Sequence, residues 1–398
     1  MLGLLLVRFA LLFFKLDMVG YLVFLAISTA IFALFSLGLN LQWGFTGLIN
    51  FGHVAFMTVG AYTTVLLSLQ GVPLLVAGVV GAGIAALLGL LIGLSTLRLR
   101  TDYLAIVTIG VSELIRLVVN NQDLPTGSTF TPGAFGVQGY PLPLSNFDPN
   151  LFGKLVMIGL LTLITGWYYW QLWQWILKKV KDDPPLPPLR KGERQKPKVF
   201  DFLLFTVALL LGLAIYGAGV VALYNYANYQ KAGLMLLSVL VLALVLWRLE
   251  SLVRSPWGRV LKAIREDEEV ARALGKNVFW YKLQSLMLGG ALAGVAGALY
   301  AWQQTSIYPN DFEPLVTFNA WIVVILGGGG NNVGTLLGAV IFFAYDAVTR
   351  FVLPAIVPLD AARLGAFRIM VIGLILMVLM IWRPQGILGK KEELTLGK

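Results

Sequence analysis

GRVLKAIREDEEVARALGKNVFWYKLQSLMLGGALAGVAGAL, residues 258–299, is the most informative stretch of the chain. Up to Lys276 it is charged and rich in the strong helix formers Ala, Leu, Glu, Lys and Arg. From residue 280 onward it has the length and composition of a helix that crosses a membrane, and another apolar segment precedes it at 231–249. The stretch therefore predicts a short, solvent-exposed helical element between two membrane spans.

The composition excludes most other classes of protein. Of 398 residues, 58% are hydrophobic and 13% are charged, whereas about 25% are charged in an ordinary soluble domain. Cysteine is absent and His53 is the single histidine of the sequence. The chain therefore offers no disulfide framework, no thiolate zinc site and no multi-histidine site, and we predict no metal site.

The net charge of +10 is explained by membrane topology. Of the 30 Lys and Arg residues, 22 fall in four short stretches, and none falls within 121–150 or 303–317. The positive-inside rule produces such an alternation in a multi-pass protein, with the basic stretches and the C-terminus in the cytoplasm, so nucleic acid is not expected as a partner. The basic stretches are 98–100, 178–198, 248–282 and 383–398. The predicted external loops are 121–150, 224–230, 303–315 and 357–363.

The apolar runs predict an all-α polytopic membrane protein, because a helix satisfies its own backbone polar groups in lipid. We expect a single transmembrane domain, residues 1–398, with about 10–12 transmembrane or re-entrant helices. Residues 1–17 form either a short first span or a helix at the membrane interface, rather than a signal peptide. The other segments are 18–41, 46–69, 73–97, 103–120, 151–177, 201–223, 231–249, 280–302, 316–329, 333–356 and 364–382.

Two glycine-rich breaks interrupt these apolar segments. Such breaks free backbone amides and carbonyls that must find partners in protein or in a water-lined cavity. Paired breaks build a solute path in many transporters, whereas a re-entrant loop or a tight helix corner of purely architectural role is the other interpretation. The first break spans 40–53 and contains Gly44, Gly47 and Gly52; the second contains Gly327, Gly328, Gly329, Gly330 and Gly334.

Enzymatic chemistry is not predicted. The sequence has no phosphate-binding loop, no G-x-S-x-G elbow and no H-E-x-x-H helix, so we predict no catalytic residue and place any ATP hydrolysis in another subunit. Glu113 with Arg116, and Asp346 with Arg350, have the spacing of pairs that neutralise themselves on one helix face. A carrier driven by ions typically exposes unpaired carboxylates.

Several segments together resemble the LivM-like half of the permease pair in ABC importers of branched-chain and other neutral amino acids. Glu269-Val-Ala-x-x-x-Gly275 is similar to the E-A-A-x-x-x-G signature with which ABC permeases bind their ATPase subunits. The resemblance covers most of 20–135 and 230–390, in the family's order. The other matching segments are Leu37–Gly44, Gly52–Tyr62, Leu97–Gly110, Gly258–Asp267, Ala293–Tyr300, Leu326–Gly330 and Arg383–Gly386.

The resemblance implies a permease subunit of an amino acid importer in the bacterial cytoplasmic (inner) membrane. Its partners would be two ABC ATPase subunits, a second homologous permease of the LivH type and an extracytoplasmic solute-binding protein. No cofactor would be bound by this chain, since ATP would act through the ATPase subunits during alternating access. A permease for urea or short-chain amides and an ion-coupled secondary transporter are the alternatives.

The resemblance also suggests roles for particular residues. In the predicted cytoplasmic coupling segment, 250–279, we expect a short helix that docks on the ATPase; a plain solvated loop is the other interpretation. An amino acid needs donors, acceptors and apolar surface along its path, which the polar and aromatic residues of the two breaks can supply. The coupling residues are Glu266, Asp267, Glu269, Ala271 and Gly275, and the path residues are Asn40, Gln42, Trp43, Asn50, His53, Asn331 and Asn332.

Residues 151–230 depart from the family pattern. They are predicted to form an inserted helical hairpin, with the basic, proline-rich linker 178–200 at its cytoplasmic tip.

Overall fold

The computed structural model describes residues 18–97, 101–127, 129–182, 198–226, 231–356, 361–382 and 385–389. The predicted N-terminal segment 1–17, most of the linker 178–200 and the end of the basic tail lie outside the described residues.

Helices account for most of the described chain, which confirms the predicted fold class. Seven of them are long and apolar enough to cross a membrane, and three shorter apolar helices accompany them. The helices are α1 Met18–Leu39, α2 Val54–Leu69, α3 Leu74–Thr96, α4 Thr101–Asn121, α5 Leu151–Asp182, α6 Lys198–Asn225, α7 Ala232–Arg254, α8 Pro256–Glu266, α9 Glu268–Ala273, α10 Val278–Gln304, α11 Pro314–Gly327, α12 Asn332–Ile356 and α13 Ala361–Trp382.

Helix α10 lies at the centre of the bundle, packed against α1, α2 and α3. Glycine permits this close packing. A Cβ added at Gly60 of α2 would lie 2.3 Å from the carbonyl oxygen of Gly294 on α10, and one at Gly297 would lie 2.1 Å from the carbonyl oxygen of Met57. The α2 and α10 backbones therefore touch each other, as helices in membranes do where small residues meet.

Four short strands cover one end of the bundle, in segments that the sequence predicts to be external loops. Strand β1, Asp123–Thr126, pairs antiparallel with β2, Thr129–Pro132. Strand β3, Val137–Gln138, pairs antiparallel with β4, Ser306–Ile307. Strands this short carry no recognisable alternation of polar and apolar residues, so their sequences gave no strand signal.

Two long helices, α5 and α6, occupy the range of the predicted hairpin, and they pack against each other. Helix α6 also contacts α1, so the hairpin lies on the flank of the bundle.

Candidate translocation site and coupling segment

The first break begins with a widened helical turn. Helix α1 continues into a π-helix, Asn40–Phe45, and the chain then leaves helical geometry until Val54. The amide of Leu48 donates to the carbonyl of Gln42 over 2.9 Å, and Gly47 adopts φ +78°. The predicted break is present, but its first residues remain helical in the π form, which occurs often at functional sites.

The second break is a tight turn between two antiparallel helices. Helix α11 has 14 residues and is about 21 Å long at 1.5 Å per residue, which is shorter than the roughly 30 Å hydrocarbon layer. Gly328 and Gly330 have φ values of +107° and +81°. A Cβ at Gly327 would lie 2.0 Å from the carbonyl oxygen of Gly334. The backbones of α11 and α12 are therefore in direct contact at these two glycines.

The two breaks meet each other although they lie far apart in the sequence. The Asn40 side chain donates from Nδ2 to Asn332 Oδ1 over 3.2 Å and accepts from the Gly330 amide over 2.9 Å. The Trp43 ring lies against Gly329, where an added Cβ would be 2.9 Å from Cζ3. Asn40 therefore satisfies a backbone amide freed by the second break with a side chain from the first.

A buried amide network lies behind this junction. Asn50 donates to Gln42 Oε1 over 2.9 Å and accepts from the amide of Gly52 over 2.9 Å. Gln42 donates in turn to the carbonyl of Leu286 on α10 over 3.2 Å. The network ties the unwound segment of the first break to the central helix.

His53 lies at the start of α2 and is fully buried. Its Nε2 lies 3.1 Å from the carbonyl oxygen of Phe35, and the two rings are 4.7 Å apart. Its Nδ1 has no hydrogen-bond partner among the described residues. His53 therefore joins α1 to α2, and its role in the solute path stays a prediction.

The predicted path residues are brought together at the junction, but their exposure differs. Trp43 and Asn331 are half-buried. Asn40, Gln42, Asn50, His53 and Asn332 are at most 2% exposed and bond within the chain. In this conformation Trp43 and Asn331 are the members of the set that keep accessible surface, and the lining role of all seven stays a prediction.

The segment Gln385–Gly389 completes the second break. The amides of Ile387 and Leu388 donate to the carbonyls of Leu326 and Gly327 over 3.0 Å each. The carbonyl of Leu388 accepts from Asn331 Nδ2 over 3.0 Å. The last carbonyls of α11, which have no partner within their own helix, are thus satisfied by this segment.

The coupling segment 250–279 contains a short helix at the predicted place. Asp267 caps α9, because its side chain accepts from the amides of Glu269 and Val270 over 2.9 and 3.0 Å. Glu268 and Glu269 occupy the first turn, where the helix dipole favours negative charge. Gly275 follows with φ +76° and ends the helix in the left-handed conformation.

Buried contacts hold α9 against α8 and α10. The side chain of Ala271 is buried with Ile264 and Val278. Glu268 pairs with Lys282 on α10 over 2.5 Å and with Arg272 over 2.8 Å. The two short helices are therefore fixed to the central helix of the bundle.

Two large apolar side chains are exposed at α9 and directly after its end. Val270 and Leu274, four residues apart, are 55% and 72% exposed, and Trp280 in the first turn of α10 is 50% exposed. Glu266, Asp267 and Glu269 are exposed beside them. Sequence reasoning missed this apolar surface, although the four-residue spacing of Val270 and Leu274 was visible.

Hydrogen bonds from two charged residues of the coupling segment reach the breaks. Arg265 Nη1 of α8 donates to the carbonyl of Gly44 over 2.5 Å. Glu250 Oε2, near the end of α7, accepts from Asn332 Nδ2 over 3.2 Å. Sequence reasoning missed both residues, because no pattern along the chain indicates contacts over such separations.

The predicted ion pairs are present. Arg116 lies 2.5 Å from Glu113, and Arg350 lies 3.2 Å from Asp346. Arg116 Nη1 also donates to Asn310 over 3.1 Å. In the described part of the chain, no three His, Asp or Glu side chains are grouped so that they could hold a metal ion.

Comparisons with known proteins identify the family. The family model for the permease component of branched-chain amino acid transport systems matches residues 21–380. The high-affinity branched-chain amino acid transport system permease protein LivM of Salmonella typhimurium is 29% identical over 365 residues, which cover 92% of this chain and 69% of the relative. LivM of Escherichia coli is 28% identical with the same coverage.

A probable LivH permease of Methanocaldococcus jannaschii is 29% identical over 167 residues, which cover 42% of this chain and 51% of the relative. No solved structure matches the chain. The family match covers most of the chain and agrees with its apolar helices. This multi-pass membrane protein therefore belongs to the family of permease components of branched-chain amino acid transport systems.

Proposed function

We propose that this chain is one permease subunit of an ATP-binding-cassette importer that carries branched-chain or other neutral amino acids by alternating access. A second, LivH-like permease completes the translocation path. An extracytoplasmic solute-binding protein delivers the amino acid, and two separate ATPase subunits supply the energy. The importer lies in the bacterial cytoplasmic membrane, with α8, α9 and the C-terminal tail on the cytoplasmic side.

The observation that carries this proposal is that the chain belongs to the permease family and exposes apolar residues at the end of α9. Val270 in α9 and Leu274 directly after it are exposed, while Ala271 of the same helix is buried against α8 and α10. A rigid apolar knob with a charged rim suits insertion into a cleft on another protein. We place the ATPase at this knob.

The paired helix breaks support a solute path close to the coupling segment, which contacts the first break through Arg265. Freed backbone groups at membrane depth are tolerated where protein or a water-filled cavity satisfies them. The half-buried Trp43 and Asn331 present an aromatic ring and an amide at this junction. A zwitterionic solute with an apolar side chain needs both kinds of group, and neither requires a charged site.

The test is reconstitution of the complete transporter in liposomes, with ATPase, LivH-like and binding-protein subunits from the same organism. Uptake of leucine that requires both ATP and the binding protein, stops with vanadate and survives an ionophore is the expected result. Urea and a short-chain amide, each tested with the same preparation, serve as matched solutes. Uptake that an ionophore abolishes and vanadate leaves unchanged would refute the ATP-driven mechanism.

A further inference from the structure

We infer that Arg265 and Glu250 are positioning residues that fasten the coupling segment to the two helix breaks, one residue to each break. The inference rests on the proposed function, because the breaks need such a link only if force arrives through α9. It goes beyond that function by naming the bonds that transmit the force.

The bond from Arg265 reaches the first break at a carbonyl. The carbonyls of Gln42 and Trp43 accept from the amides of Leu48 and Gly47. The next carbonyl, that of Gly44, accepts from the Arg265 guanidinium at 2.5 Å. Hydrogen bonds from a charged donor are roughly twice as strong as neutral ones, so this bond is a firm attachment for α8.

The surroundings of Arg265 reinforce the attachment. Gly47 packs over the stem of this arginine, and a Cβ added at Gly47 would lie 3.5 Å from Arg265 Cγ. One helical turn earlier on α8, Lys262 Nζ lies 5.6 Å from the centre of the Phe45 ring, within the range of a cation–π interaction. Helix α8 therefore contacts both the π-helix and the unwound segment that follows it.

The bond from Glu250 reaches the second break at a side chain. Its Oε2 accepts from Asn332 Nδ2, while its Oε1 pairs with Arg254 over 2.7 Å. Asn332 Oδ1 accepts from Asn40 of the first break. Because α7 ends at Arg254 and α8 begins at Pro256, Glu250 stands at the entry to the coupling segment.

These bonds leave little freedom between α9 and the breaks. Glu268 and the buried Ala271 join α9 to its neighbours, so a displacement of α9 carries α8 with it. Hydrogen bonds lose their strength beyond about 3.5 Å. A displacement of α8 by about 1 Å away from Gly44 stretches the Arg265 bond from 2.5 Å to this limit, so α8 either moves the first break with it or loses the bond.

The experiment compares Arg265→Gln and Glu250→Gln in the complete reconstituted transporter. Arg248→Gln is the matched control, since Arg248 is an exposed arginine at the same end of α7 that lies over the Trp247 ring. The primary measurement is solute carried per ATP hydrolysed. The second is the labelling rate of Asn331→Cys with and without nucleotide, in a subunit whose sequence has no native cysteine.

We expect Arg265→Gln and Glu250→Gln to lower both the transport ratio and the nucleotide-dependent change in labelling by about tenfold, the effect of losing one charge-assisted hydrogen bond. Arg248→Gln should leave both unchanged. Arg265→Lys keeps a cationic donor and should restore part of the coupling. If the guanidinium were needed only for folding, lysine would restore none of it.

Equal transport ratios for Arg265→Gln, Glu250→Gln and the unsubstituted transporter would overturn the inference. So would an Arg265→Gln complex that fails to assemble and is not rescued by Arg265→Lys, since that result assigns the residue to folding. Failure of the unsubstituted transporter to couple uptake to ATP would instead refute the proposed function.

Discussion

Replacing Gly44 with alanine should drive the two helix breaks apart. A Cβ at this position would lie 2.0 Å from Asn40 Oδ1 and 2.5 Å from the backbone nitrogen of Gly330, and real Cβ atoms essentially never approach within 3.0 Å. The Asn40 side chain can rotate away only by giving up its bonds to Gly330 and Asn332. The Gly330 backbone must then still move.

The cost follows from these contacts. Forcing a methyl group into a packed site costs about 1–3 kcal/mol, and each buried hydrogen bond that Asn40 loses costs about 1 kcal/mol more. We therefore expect Gly44→Ala to reduce the free energy of unfolding by about 2–4 kcal/mol. If only part of the lost stability lowers the barrier to unfolding, unfolding is still faster, and the half-life of the native protein falls about tenfold at a fixed temperature.

The assay is thermal inactivation of the purified chain in detergent, followed by tryptophan fluorescence. Gly83→Ala is the matched control: Gly83 lies in α3 with no atom within 4 Å of an added Cβ, and alanine favours a helix over glycine by roughly 0.5–1 kcal/mol. A Gly44→Ala protein whose half-life lies within twofold of the Gly83→Ala protein would show that the breaks do not meet at Gly44.

Three further substitutions test other parts of the structure. Gly275→Val should destabilise the end of α9 by about 1–3 kcal/mol, because a β-branched residue is strained at φ +76°; faster proteolysis between α9 and α10 is the measurement. Leu274→Asp should leave thermal stability unchanged, since the side chain is 72% exposed, but should abolish co-purification with the ATPase; retained co-purification would move the docking surface elsewhere. Burial raises the pKa of Asp311 above 3.8, against the hydrogen bond from the Tyr308 amide that lowers it. The folded chain then binds more protons than the unfolded one, so the stability of the native protein should fall as pH rises from about 3.8 through the raised pKa. Asp311→Asn should remove this dependence in unfolding measured between pH 4 and pH 8, values chosen to bracket that titration.

The helices could be predicted from the sequence because lipid imposes one rule on every span. A run of apolar residues long enough to cross the membrane must be helical. The predicted segment 103–120 is helix Thr101–Asn121, and 280–302 is Val278–Gln304. Both breaks were visible for the same reason, since their glycines and polar residues interrupt otherwise continuous apolar runs.

The contacts that give the breaks their shape could not be predicted. Asn40 and Asn332 are separated by 292 positions, and each is an ordinary polar residue in its own segment. The bond between Arg265 and Gly44 uses a backbone carbonyl, which leaves no mark in the side-chain pattern. Short-range patterns report burial and helix ends, whereas these bonds depend on how distant helices pack.

The two breaks differ in what satisfies their backbone groups, and this difference bears on how they respond to force. The carbonyls at the end of α11 accept from the backbone amides of Ile387 and Leu388. This segment of the chain therefore lies across the turn of the second break. The first break has its own amide network, and two cationic side chains of α8 contact it: Arg265 donates to the Gly44 carbonyl, and Lys262 lies over the Phe45 ring. Backbone bonds from a packed segment resist displacement of one helix, while contacts from the side chains of one helix follow that helix. We therefore expect the first break to move further than the second when α8 is displaced, with Glu250 carrying the smaller motion to the second break.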